Sequence, residues 1–95
     1  MYKIYLSACG NPDFGEDPEK NIVRGKVIED KVLEFDSIDE CRVASRCFIE
    51  ENALGSSNYS GGKIYEGDEY VGYVSYNGRF WDKYSKYGKA ALENS

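Results

Sequence analysis

A chain of 95 residues with 41% apolar and 31% charged side chains has material for one hydrophobic core and too much apolar content for a disordered polymer. Seventeen acids against twelve bases give a net charge of −5, which disfavours the chain as a whole approaching a phosphate backbone. With no histidine, Ser-His and Cys-His nucleophile pairs, histidine general bases and most catalytic zinc sites are excluded.

Residues 2–9 place Tyr2, Ile4, Leu6 and Ala8 on one side and Lys3, Tyr5, Ser7 and Cys9 on the other, the period of a half-buried strand. The run 10–21, with Gly10-Asn-Pro-Asp-Phe-Gly15 at its start, reads as a turn-rich loop, and Phe14 is expected to anchor it to the core. Asp13, Glu16 and Asp17 lack the spacing of a calcium loop. Residues 22–28 and 31–35 are strand-like on either side of Glu29-Asp30 and read as two short strands or one irregular one.

A helix follows. Ser37 and Glu40 match a capping box, and Gly55 supplies the stop. Ile38, Cys41, Ala44, Phe48 and Ile49 form the stripe that faces the sheet, while Asp39, Arg42, Arg46 and Glu50 read as solvated ion pairs on the far side. Val43 and Cys47 form a small second seam, for which a covering loop is the default over a second copy or a target. Cys9, Cys41 and Cys47 have no metal-site spacing and fit a reduced, cytoplasmic protein; no signal peptide or membrane span is read.

The Gly55–Gly62 run reads as a flexible Gly/Ser loop, and not a phosphate loop, because Ile64 follows Lys63 where a P-loop needs Ser or Thr. A meander then occupies 63–66, 69–76 and 79–84, with turns at Gly67-Asp68 and Asn77-Gly78 and a frayed tail over 85–95. Two-residue turns set Tyr65 opposite Tyr70, Ile64 opposite Val71, Val74 opposite Trp81 and Tyr76 opposite Arg79. That register sends Ile64, Val71 and Phe80 under the helix.

It leaves Tyr65, Tyr70, Tyr76, Arg79 and Trp81 outward, and Asn58 and Tyr59 of the Gly/Ser loop complete the candidate site. Tyr, Trp and Arg are common anchors of protein interfaces. The expected fold is thus a single α+β domain over 1–95, an antiparallel sheet of four to five strands with a C-terminal meander packed on one α-helix. No catalytic set, metal site or cofactor is read.

Gly10-Asn-Pro-Asp-Phe-Gly15, Phe48-Ile-Glu-Glu-Asn-x-Leu-Gly55, Asn58-Tyr-Ser-Gly-Gly62 and Val74-Ser-Tyr-Asn-Gly-Arg-Phe-Trp81 together resemble a family of small proteins of phages, prophages and plasmids. Tyr59 and Ser60 stand where that family has Trp-Thr. In size and architecture the chain is similar to anti-CRISPR proteins. The resemblance implies a non-catalytic inhibitor in the host bacterial cytoplasm that binds a defence protein complex, such as a CRISPR effector, where nucleic acid would bind. Two other readings are a nucleotide or small-ligand sequestering protein and an oligomeric module such as a homodimer. Neither direct nucleic-acid binding nor membrane association is expected.

Overall fold

The computed structural model describes residues 1–93. Its strands are β1 (Tyr2–Leu6), β2 (Ile22–Val23), β3 (Lys26–Val27), β4 (Lys31–Phe35), β5 (Lys63–Glu66), β6 (Glu69–Val74) and β7 (Phe80–Asp82), and its helices are α1 (Ile38–Glu51) and α2 (Lys86–Glu93). The main sheet is antiparallel, in the order β4-β1-β5-β6-β7. The α+β expectation holds, with a helix on each face in place of one.

The ambiguous stretch divides cleanly. β2 and β3 make a separate hairpin, whereas β4 joins the main sheet as an edge beside β1. The hairpin turns at Arg24 and Gly25, both at positive φ (51° and 78°), the backbone that a two-residue turn of this hand needs. It places the Arg24 guanidinium against the Asn52 and Ala53 carbonyls, 3.1 and 2.6 Å away, where a cation satisfies the end of α1.

Alternation along β1 buries Ile4 and Leu6, and the paired strands add Ile64 and Val74 on the same side. Against them α1 lays Cys41, Ser45, Phe48 and Ile49, all buried. Each large aliphatic removed from water contributes about 1.5–3 kcal/mol, so this layer is the principal stabiliser. The Ser37 side chain accepts the Glu40 amide at 3.2 Å, the N-cap half of the expected capping box, while the Glu40 carboxylate accepts the Ser37 hydroxyl at 3.1 Å in place of the Ser37 amide. Burial without a cationic neighbour pushes the Cys41 thiol up to about 11.

Two loop expectations are corrected. Phe14 does not anchor the 10–21 loop; it is 81% exposed. The loop is held by polar contacts instead: the Glu16 carboxylate accepts the amides of Asn11 (2.9 Å) and Arg24 (2.5 Å), which lowers its pKa, and Asn11 caps a 3-10 turn over Pro12–Phe14. Nor is the Gly/Ser run loose. It is stitched to the end of β1 by Cys9 N–H to Asn58 O (2.9 Å) and Ser60 N–H to Ser7 O (3.1 Å). A side chain at Gly61 would meet the Ser7 amide at 2.5 Å, so this close approach needs glycine.

The meander keeps the expected Tyr65–Tyr70 pair, but a bulge inserts Val71 and sets Ile64 opposite Gly72. The second turn has three residues, not two: Gly78 N–H reaches Ser75 O (2.9 Å), Ser75 N–H reaches Arg79 O (3.0 Å), and Gly78 takes φ 86°. The register therefore moves by one, pairing Tyr73 with Trp81 and Val74 with Phe80. Phe80 still packs toward the core and closes over Gly72, whose missing Cβ leaves room for the ring. Val74, expected beside Trp81, is instead fully buried.

The segment expected as a frayed tail forms α2 over Lys86–Glu93; residues 94–95 lie outside the described residues. Ser85 starts it by accepting the Gly88 amide on its hydroxyl at 3.1 Å. Gly88 lets the helix backbone lie directly on the Asp82 carbonyl, a place any Cβ would occupy.

Candidate functional site

The residues expected to share one outward surface are distributed over three environments. Tyr70 is buried beneath α2 and donates its hydroxyl to Gly88 O at 2.6 Å. Tyr65 lies beside it, half-buried, with ring centroids 5.6 Å apart. Trp81 is also half-buried on this side, between the Arg79 guanidinium (4.2 Å) and the Tyr87 ring (5.2 Å), and donates its indole N–H to Ser75 Oγ at 3.3 Å.

Tyr76 goes to the opposite side. Its hydroxyl donates to Leu54 O (3.1 Å), and Arg46 of α1 lies over its ring at 5.6 Å. Asn58 and Tyr59 are interior. Asn58 donates to Cys9 O (3.0 Å) and accepts the Gly55 amide (3.2 Å), while the Tyr59 hydroxyl sits between Ser45 Oγ (2.8 Å) and Val74 O (3.1 Å). Burial raises the pKa of Tyr59, as it does for Tyr70. The single aromatic surface is therefore not assembled. The register shift separates Tyr76 from Trp81, α2 covers Tyr70, and the loop contacts absorb Asn58 and Tyr59.

Two other surfaces take its place. One runs along β4 and α1. Among the described residues the outer edge of β4 pairs with no strand; Val32 is 52% exposed and Leu33 37%, and Val43 on α1 is 63% exposed. Between them Phe35, Asp39, Glu40, Val43 and Ala44 line a groove of about 370 Å³. The Val43/Cys47 seam expected to lie under a loop is open. Arg42 and Arg46, expected as plain solvated pairs, also clasp the turn after β6, donating to Gly78 O (2.7 Å) and Tyr76 O (2.6 Å).

The other surface is the sheet face beside α2, of which sequence reasoning had Tyr65, Tyr70 and Trp81 but missed Tyr5, Tyr73 and Tyr87. Tyr5 packs edge-on against Tyr65 at 5.4 Å, and Tyr73 packs against both Tyr59 (6.5 Å) and Tyr87 (5.4 Å). Burial, reinforced by Tyr87, pushes the Tyr73 hydroxyl up to about 12. Alternation in β1 and β5 was the available signal for Tyr5 and Lys63.

Among the described residues no group of acids and cysteines is arranged to hold a metal ion, and no helix is long and apolar enough to cross a membrane. The fold and its surfaces define an α+β protein with a five-stranded antiparallel sheet and an acidic, partly apolar flank. No protein-family model matches the chain, nor does any curated protein or solved structure.

Proposed function

We propose that the chain is a non-catalytic inhibitor of a host defence complex, carried by a phage or other mobile element, which lays its β4–α1 flank on a basic protein surface that otherwise holds nucleic acid. The phage and defence context rests on the motif resemblance. The docking mode rests on where the charge lies. Residues 29–51 hold eight carboxylates and three bases, a balance of −5; the remaining nine acids and nine bases cancel. The whole net charge of the protein thus lies in one continuous stretch, β4 into α1.

An uncovered apolar ridge at Val43 beside those carboxylates offers desolvated contact together with long-range attraction to a basic groove. A second copy is the competing occupant of the β4 edge. Symmetric antiparallel pairing about Leu33 would set Asp30 against Asp36 and bring two −5 stretches together, so charge favours a basic partner.

The test is displacement. Titrated into a defence effector loaded with fluorescent nucleic acid, the wild-type chain should release the nucleic acid, with potency falling as salt rises. The double variant Asp39→Lys/Glu40→Lys should lose roughly tenfold or more, whereas Arg79→Ala/Trp81→Ala should retain it. Undiminished potency of the charge-reversed chain would sink the reading.

A further inference from the structure

On the other side of the sheet a cleft of about 270 Å³ lies between α2 and the strands, lined by Tyr59, Ser60, Lys63, Tyr73, Tyr87 and the two alanines of α2. Among the described side chains, no carboxylate lines it. Lys63 stands at its edge, paired in register with Tyr5 on one strand and Tyr73 on the other. No ion pair or hydrogen bond among the described residues engages the Lys63 ammonium, as is also true of Lys3, Lys20, Lys26, Lys86 and Lys89, but of these Lys63 is the one that lines the cleft. Its surroundings partly desolvate it, which lowers its pKa. A partly desolvated ammonium with no counter-charge is less favourable than a fully hydrated one, and an incoming anion would relieve it.

We infer that this cleft binds a small planar anion, one ring bearing a single carboxylate or phosphate, with the acid on Lys63 and the ring against Tyr73 and Tyr87. The tyrosine faces supply stacking area, and the Ser60 hydroxyl is within the lining to meet a polar substituent. Size limits the class: ligand cavities run from about 300 Å³ upward, so this one suits a single ring with its acid and excludes a dinucleotide. The cleft lies across the sheet from the acidic flank, and its ligand does not depend on the proposed inhibition.

The experiment follows amide and tyrosine-ring resonances of the full chain during titration with 4-hydroxybenzoate and with phenyl phosphate. The neutral counterparts 4-hydroxybenzamide and phenol serve as references. At least one anionic probe should give saturable shifts at Lys63, Tyr73 and Tyr87, binding roughly tenfold or more tighter than its neutral counterpart, as a charge-assisted contact implies. The anion that binds tighter identifies the acid group, carboxylate or phosphate.

Lys63→Met should lose roughly tenfold or more in affinity and Lys63→Arg should retain most of it. The Met variant should melt at the same temperature as wild type or higher, since it removes an unpaired, partly desolvated charge, and that result separates lost binding from lost folding. Neutral probes binding as well as anionic ones, unsaturated shifts with both anions across the millimolar range, or full affinity in Lys63→Met would each overturn the assignment.

Discussion

The two helices cover opposite faces of one sheet by different means. α1 has fourteen residues, is capped by Ser37 at its start and held by Arg24 near its end, and lies on Ile4, Leu6, Ile64 and Val74. α2 has eight residues and lies on tyrosine rings, located by the close approach at Gly88 and by the Tyr70 hydroxyl. An aliphatic layer gives stability without exposing polar atoms. A tyrosine layer gives less net burial but leaves hydroxyls and ring faces at a cleft, which suits recognition. On this comparison, damage to the α1 layer should unfold the chain, while damage to the α2 layer should loosen one face.

The largest effect should come from Ile64→Ala, which opens a cavity in the aliphatic layer and costs about 2–5 kcal/mol in chemical denaturation. Gly88→Ala should cost less, about 1–3 kcal/mol, because α2 can lift from the Asp82 carbonyl. It should change the near-ultraviolet signal of Tyr and Trp while amide protection in β1 and β5 persists. If Gly88→Ala exposes those amides as fully as Ile64→Ala does, the asymmetry is broken.

Alkaline pH sharpens the same contrast. Tyr73 has a folded pKa of about 12, raised above the ordinary 10, so its stabilising contribution is complete below pH 10 and declines as pH rises toward 12. Tyr59 shifts in the same direction. Unfolding followed between pH 9 and 12 should show this loss, and Tyr73→Phe should reduce it.

Tyr70→Phe removes one hydroxyl-to-carbonyl bond at the base of α2 and should cost about 0.5–1.5 kcal/mol. The smallest effect concerns the 10–21 loop. Glu16 has a lowered pKa, so the loop contacts it makes are complete above its ordinary value of 4.5 and are lost as pH falls through the lower folded value. Amide shifts of Asn11 and Arg24 should move over that acid range in the wild type and stay flat in Glu16→Gln.

The elements most readable from sequence were those with local causes. The Ser37/Glu40 cap, the Cys41/Phe48/Ile49 stripe and the alternation through Ile4 and Leu6 act within a few residues, and α1 and β1 formed where expected, although α1 stops at Glu51, turned by Ala53 at positive φ and not by Gly55, and β1 stops at Leu6. Ser85 was an equally local signal, and the cap it makes shows that α2 was legible. The Asn77-Gly78 turn was not, because that dipeptide suits a two-residue turn and a three-residue one alike. The choice lies with Arg42 and Arg46, thirty or more residues away, which grip the Gly78 and Tyr76 carbonyls. The candidate site inherited that error at Tyr76, which parted from Trp81, whereas Tyr65, Tyr70 and Trp81 stayed on one side of the sheet. Phe14 carried no local signal for its exposure: its loop is closed by Glu16 and by backbone bonds that composition does not reveal.

The odd residue at Val71 and the odd residue in the 76–78 turn have an evolutionary corollary. Strand side chains obey parity, so lengthening or shortening β6 or its turn by one position exchanges the rows of neighbours that Phe80 and Trp81 meet. Single-codon insertions and deletions here should be purged unless a matching change at the other end restores the count, whereas changes on the outer side of the 10–21 loop carry no such constraint.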